Sequence, residues 1–409
     1  MNPDPRPSRK HAPPPPGPLP YARQFIDESD IAAVIAALHA DFLTQGPTVG
    51  AFEEALCRAT GARHAVAVSS GSAALHLLAI ALGVGPGQVG VTSPITFAAT
   101  ANCFLHAGGG VALADVDPRT GLMTPGHLEA ALDTLEARGV PPGLVIAVSL
   151  TGRVADLEGL ARVCGRRGWT LVEDAAHSLG GLGRAADGTS FRSGSCRHTR
   201  AAILSFHPVK HICTGEGGAV LTNDADLAGR IRRLRSHGID KPSPDRLPPG
   251  EGPWFQDQVE LGFNYRLTDI QAALGLSQLR RLDAFLERRR TLARRYLERL
   301  DRPGLRDIFA LPPPDEGSAW HLFVVHFADA ALRRRAVEFL ADRGIRTQVH
   351  YIPVYRHTFY KKRFGETTLP GAEAWYRGCL SLPLFPAMRD QDLERVADAL
   401  EAFVRTCRL

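Results

Sequence analysis

The sequence predicts an α/β fold with a mostly parallel central sheet, followed by a smaller C-terminal α+β domain. Two features predict it. Over the first part of the 409 residues, short apolar runs alternate with helical patterns, and beyond Pro303-Gly304 the character of the chain changes. A chain of this length can bury a large core and form two or more domains.

The strand candidates are RHAVAVSS (63–70), QVGVTS (88–93), GVALADV (110–116), GLVIAVSL (143–150) and WTLVEDAAH (169–177). Helical patterns lie between them: SAALHLLAIAL (72–82), FAATANCFLHAG (97–108) and LEGLARVCGRRG (157–168). This order implies right-handed crossovers around a covered, largely parallel sheet. Two further strands, AAILSF (201–206) and GAVLTN (218–223), read as neighbours sharing the turn between them. From Thr268, a plausible N-cap, to about Leu300 the apolar stripe predicts one long helix. After it, HLFVVHFA (321–328), a helix over 328–344, RTQVHY (346–351) and a terminal helix over 390–406 read as the α+β domain. The N-terminal PRPSRKHAPPPPGPLP (5–20) is too proline-rich for helix or sheet. The expected division is therefore a flexible extension over 1–20, a large domain with its long helix over 21–300, and a small domain over 301–409.

Composition excludes several function classes. The formal charge of +5 is spread over arginines on helix faces, with no basic run interleaved with aromatics, so no nucleic-acid groove is expected. The seven cysteines show neither zinc-ligand spacing nor a disulfide framework, so no metal is expected and a reducing cytoplasm fits best. No apolar run approaches the roughly 20 residues of a membrane span, and no signal peptide is visible.

The chemistry starts at Lys210, in ILSFHPVKHICTGEGGAVLTND (203–224). It is one of only five lysines in a chain that otherwise takes its positive charge from arginine. A lysine in an apolar, glycine-rich strand–turn–strand suggests an amine that must lose its proton, which arginine cannot do. Such an amine forms a Schiff base with an aldehyde once its pKa is depressed. Asp174, 36 residues upstream, ends a strand, so it points into the crevice where parallel sheets bind ligands. There it could pair with a protonated pyridine nitrogen, and His177 could pack on the ring. SSGSAAL (69–75) leaves a strand through Gly71 and enters a helix at Ser72, which offers backbone N–H groups to a phosphate. Ser205 could add a hydroxyl. Amine, carboxylate and anion cradle match the three handles of pyridoxal 5′-phosphate (PLP).

With these motifs in this order, the chain resembles the DegT/DnrJ/EryC1/StrS group of PLP-dependent sugar aminotransferases, which have the aspartate aminotransferase-like (type I) fold. The matching stretches are LTQGPTVGAFEEAL (43–56), SSGSAAL, SPITFAATAN (93–102), EDAAHSLGG (173–181), SFHPVKHICTGEGGAVLTND (205–224), RSHGI (235–239), GFNYRLTDIQAALGLSQL (262–279) and QVHYIPVY (348–355). The resemblance implies that Lys210 is the Schiff-base lysine and Asp174 the pyridinium partner, with His177 and Phe97 against the ring. It implies that Gly71, Ser72 and Ser205 hold the phosphate, joined by Asn264 from the neighbouring subunit of a homodimer. Glu216 and the glycines around it would shape the turn after the lysine. Thr44, Gln45, Gly46, Arg266, His350 and Tyr351 would line a nucleotide-sugar pocket.

The implied reaction is a ping-pong transamination from L-glutamate to a keto sugar, with Lys210 as covalent anchor and then general acid/base. SPITFAATAN, SLTGRVAD (149–156) and RTQVHYIPVY are most similar to the branch that aminates C4 of UDP-4-keto-6-deoxy-N-acetylhexosamines on the way to pseudaminic acid. Alternatives are a dTDP-keto-sugar aminotransferase acting at C3 or C4 and a PLP-binding regulator. The related dehydratases replace the lysine with histidine, and Lys210 argues against that chemistry. Two departures stand out: Ser149-Leu150-Thr151-Gly152, where much of the wider family places a His and an aromatic residue before the glycine, and His211 directly after Lys210.

Overall fold

The computed structural model describes residues 17–241, 245 and 247–407. The first five strands are β1 (His64–Val68), β2 (Val89–Thr92), β3 (Gly110–Leu113), β4 (Leu144–Val148) and β5 (Thr170–Asp174). A small hairpin, β6 (Leu182–Arg184) with β7 (Ser190–Arg192), precedes β8 (Ala201–Ser205) and β9 (Gly218–Thr222). Seven of these strands form one sheet in the order β1-β9-β8-β5-β4-β2-β3. All but β9 run in the same direction, because β9 pairs antiparallel with both β1 and β8. The β8–β9 connection is the turn carrying Lys210, as the sequence predicts.

Alternation explains why the strands read as nearly continuous apolar runs. On β4, Leu144 and Ile146 join the core on one face, while Val145 and Ala147 join the core on the other. Helices cover both faces: Gly71–Ala81 and Ala225–Leu234 on one, Leu157–Arg166 and Pro125–Glu136 on the same side as Val145. A sheet dry on both sides needs no polar alternation.

The expected single helix from 268 to 300 is two. Asp269–Arg280 starts with the capping box of Thr268 and Gln271, and Leu282–Leu300 follows after a break at Arg281 (φ −103°, ψ 5°). There the Arg281 guanidinium pairs with Asp27 and Asp30 and lies over the rings of Phe25 and Phe285. These contacts with the segment entering the Glu28–Leu38 helix hold the break, which the uninterrupted apolar stripe gave no sign of.

Beyond a two-residue pairing of β10 (Ile239–Asp240) with β11 (Asp257–Gln258), the C-terminal part holds an antiparallel sheet of β12 (Phe309–Ala310), β13 (Phe323–Phe327) and β14 (Cys379–Leu382). Its core gathers the helices Ala330–Asp342 and Asp390–Cys407 around Phe323, Leu380 and Phe403, together with Leu292, Tyr296 and Leu300 from the second half of the broken helix. Residues 1–16 of the expected extension, and 242–244 and 246 of the 240–254 stretch, lie outside the described residues. The end of that extension is not free: Leu19 is buried in the C-terminal core and pairs with Gly344 and Arg346 through its backbone.

Candidate active site

A cleft of about 670 Å³ opens at the carboxyl edge of the seven-stranded sheet. Its lining includes Gly71, Ser72, Phe97, Asp174, His177, Ser205, Lys210, Glu216, His350 and Tyr351. Each strand end places its own group: Ser70-Gly71-Ser72 follow β1, Phe97 follows β2, Asp174 ends β5 and Ser205 ends β8. The sheet therefore brings together residues more than a hundred positions apart.

Lys210 lines the cleft and is half-buried. Burial lowers its amine from the usual 10.5 to about 8, with the Asp174 carboxylate pulling the other way. Asp174 is buried, and burial raises its carboxyl above the ordinary range. Three groups oppose that rise: the Thr100 hydroxyl donating to Oδ2 at 2.7 Å, the Ala176 N–H donating to Oδ1 at 3.1 Å, and the Lys210 charge. Glu173, one residue earlier, faces the other side of the sheet and takes bonds from Ser149, Ser193 and the Gly194 N–H instead. Strand alternation thus separates a structural carboxylate from one aimed at the cleft.

The phosphate cradle is built by close backbone approach. Ser70 caps the Gly71–Ala81 helix by accepting from the Ala73 N–H at 3.0 Å. The first amides of this helix have no intrahelical partner and favour an anion. A Cβ on Gly71 would stand 3.0 Å from the Ser205 Cβ, and one on Gly218 would stand 2.5 Å from the Ser70 carbonyl carbon. Glycine at 218 is what lets the helix entrance settle beside β8 and β9. An amine that can lose its proton, a carboxylate held in the crevice and a helix entrance opposite Ser205 fit the aldehyde, ring nitrogen and phosphate of PLP. Among the described residues no group of three His, Cys, Asp or Glu could hold a metal ion.

His177 is buried, and its Nε2 lies 3.1 Å from the Tyr351 hydroxyl, joining two residues predicted separately. Burial pushes the imidazole well below its usual pKa, so it is neutral. His350 is held by the Ser381 hydroxyl at 2.7 Å, and burial lowers it to about 3. Phe97 is 63% exposed at the rim, its ring 6.4 Å from that of Tyr351.

The remaining sequence-predicted residues form a second group outside this lining. Thr44 bridges Thr268, Gly46 and Thr48 donate their N–H groups to Asp269 at 2.8 and 3.0 Å, and Gln45 sits between them at φ 58°. Arg266 bridges Val68, and Asn264 is exposed and bridges Ser236. Sequence reasoning missed Thr100 as the orienter of Asp174, although it lies in the quoted SPITFAATAN, and missed Tyr21, which lines the cleft beside His350. Neither carries a local motif that sets it apart.

Residues 24–401 match the DegT/DnrJ/EryC1/StrS aminotransferase family. The chain belongs to that family. It is 37% identical over 400 residues to the spore coat polysaccharide biosynthesis protein SpsC of Bacillus subtilis (strain 168), covering 95% of this chain and 97% of the relative. Among solved structures it resembles Helicobacter pylori PseC, an aminotransferase involved in the biosynthesis of pseudoaminic acid. That match has a TM-score of 0.85 and 28% identity, covering 95% of this chain and all (100%) of the other. Spr1654 from Streptococcus pneumoniae, in its PMP-form, matches with a TM-score of 0.85 and 26% identity over 95% of this chain and 99% of that one. This family member is a PLP-dependent sugar aminotransferase of α/β fold with a mostly parallel sheet, and its cofactor is pyridoxal 5′-phosphate.

Proposed function

We propose that the protein moves the amino group of L-glutamate to C4 of a UDP-linked, N-acetylated 4-keto-6-deoxy sugar. The product would feed nonulosonate or other surface-glycan biosynthesis, and the enzyme would work in the cytoplasm as a homodimer with shared sites. The observation that carries the chemistry is Lys210 and Asp174 lining one cleft, the amine brought to about 8 by burial. The similarity to PseC and SpsC supports the sugar class and the glycan context.

When bound, PLP supplies an aldehyde for capturing amines and a ring that takes up electrons from the substrate carbon. The chain's own groups do the rest. The Lys210 Nζ anchors the cofactor and, once released, carries a proton away from the nitrogen-bearing carbon of the donor and returns one to the sugar carbon. An amine near neutrality can do both, whereas one at 10.5 would hold its proton. Asp174, oriented by Thr100 and Ala176, holds a proton on the ring nitrogen. The amides of Gly71 and Ser72 with the Ser205 hydroxyl would grip the phosphate, and neutral His177 and Phe97 would flank the ring. His350 and Tyr351 would face the sugar. Asn264, Arg266 and Thr44–Gly46 would complete the cleft of the partner subunit, consistent with their position outside the lining of their own.

The test is incubation of the holoenzyme with glutamate and a panel of UDP- and dTDP-keto sugars, locating the new amine by NMR. The expected product carries it at C4 of a UDP-N-acetyl-6-deoxyhexose; turnover confined to a dTDP sugar, or amination at C3, would overturn the substrate assignment.

A further inference from the structure

Behind the cofactor-facing histidine the protein buries an imidazole column and a cation that no step above uses. The His321 ring centroid is 4.3 Å from that of His177, and His211 follows 5.4 Å behind His321. All three rings are buried, and burial holds all three neutral. Among the described residues the Nδ1 atoms of all three lack a hydrogen-bond partner. Nε2 is paired in two of them, with the Tyr351 hydroxyl for His177 and the Ala319 carbonyl for His211, each at 3.1 Å. His321, set between those two rings with its buried Nδ1 unmatched, is the member of the column that acts through its ring surface.

The backbone around His321 is fixed from two sides. Arg289, fully buried at 0% exposure, makes no ion pair among the described residues; its Nη1 instead donates to the carbonyls of Trp320 at 3.3 Å, His321 at 3.2 Å and Leu384 at 3.0 Å. A buried guanidinium without a carboxylate is costly, so its contacts must matter to the fold around them. On the opposite side, Ala319 and Leu322 donate their N–H groups to the carbonyls of Gly152 and Thr151 at 2.9 and 3.1 Å. A Cβ on Gly152 would stand 2.5 Å from the Trp320 nitrogen and 2.7 Å from that of His321. Between these grips Trp320 takes a left-handed backbone at φ 46°, a conformation that persists only where its surroundings impose it. Ser149–Gly152, the stretch that departs from the wider family, is thus part of the clamp.

We propose that His321 is a positioning residue: clamped by Arg289 and Gly152, it backs the His177 ring and so sets the face against which the cofactor packs. The inference rests on the cofactor being joined to Lys210. Its experiment compares His321→Asn, which removes the ring, with His321→Phe, which keeps a ring without nitrogens, both as holoenzymes. In His321→Asn the cofactor should dissociate about tenfold faster, and the rate of the glutamate half-reaction should fall about tenfold with KM within about twofold, as expected when a reacting group is misplaced. His321→Phe should recover most of both. Unchanged cofactor retention in His321→Asn, or a His321→Phe enzyme as defective as His321→Asn, would overturn the proposal.

Should His321→Phe not fold, Arg289→Met serves, because its side chain keeps much of the arginine stem and donates to none of the three carbonyls that Nη1 holds. It should also speed cofactor release severalfold, and retention equal to the parent would overturn the clamp. Borohydride trapping of the cofactor on the parent enzyme separates the two readings. Trapping at Lys210 with normal retention in His321→Asn defeats this proposal alone, whereas failure to trap at Lys210 defeats the cofactor linkage with it.

Discussion

At the carboxyl edge of the large sheet the chain withdraws one amine and one carboxylate from water; along the face shared by the Leu282–Leu300 and Asp390–Cys407 helices it lays its ions out in solvent. On that second face Arg288 and Arg295 reach Asp390, Arg295 and Arg299 reach Glu394, and Arg299 also reaches Asp398 and Glu401. Arginine suits it, being charged at any working pH and able to fork between carboxylates. In the cleft the same charge types meet a different medium. Burial there moves Lys210 down to about 8 and Asp174 up, so protonation becomes adjustable. The difference teaches why a chain so rich in arginine keeps a lysine at 210: solvated charge is interchangeable, and buried charge has a task.

The largest way to break this contrast is Lys210→Ala. Transamination should fall by at least about 10³-fold, since covalent anchor and proton carrier go together. Borohydride should no longer fix the cofactor to the protein, as read by mass spectrometry; persistent fixation would put the linkage elsewhere. Next comes Asp174→Asn, which keeps the shape and removes the charge. Cofactor should still bind while turnover drops about 10²-fold, the scale of losing one placed electrostatic group. Near-normal turnover would reduce Asp174 to a cap for the following turn.

Much of this contrast was legible in the sequence, for reasons tied to particular residues. Lys210, Asp174 and the Gly71 turn sit at strand ends, and strand ends follow from apolar runs; the crevice then follows from a parallel sheet. What was hidden depends on contacts distant in sequence. Thr100 reaches Asp174 across 74 residues, and Arg289 grips Trp320 and His321 from 31 and 32 residues away. Arg289 is one of three consecutive arginines; helical spacing sets it on the buried stripe with Leu286 and Leu292, but the carbonyls it grips lie in a segment distant in sequence. The break at Arg281 was hidden in the same way, set by Asp27, Asp30 and two phenylalanines rather than by any helix-breaking residue.

A tenfold effect sharpens the comparison through pH. With the amine at about 8, roughly a tenth of Lys210 is deprotonated at pH 7 and nine-tenths at pH 9. Cofactor capture by the apo-protein, followed by absorbance, should therefore quicken about tenfold between those values; a flat profile would mean the amine titrates elsewhere. Stability carries the matching sign. The folded amine binds its proton more weakly than the unfolded one, so charged Lys210 costs stability in full below about pH 8, and that cost fades as pH rises toward 10.5. Lys210→Met should accordingly raise the stability of the apo-protein at pH 7 and confer little above pH 10.5.

The smallest effect belongs to the solvated face. Arg299→Ala removes a guanidinium that touches three carboxylates; the Glu401 contact is half-buried, at 20% and 19%, whereas Glu394 and Asp398 are 43% and 67% exposed, so water competes there. Exposed pairs of this kind are each worth about 0.2–1 kcal/mol, so denaturant unfolding should show a loss of about 1 kcal/mol. The loss should shrink in 1 M salt, where screening shortens the reach of the charges to about 3 Å. Turnover should be unaltered, because neither Arg299 nor its three partners line the cleft. A loss several times larger, insensitive to salt, would mean that this face shields its charges from water as the cleft does and that the contrast between the two regions is false.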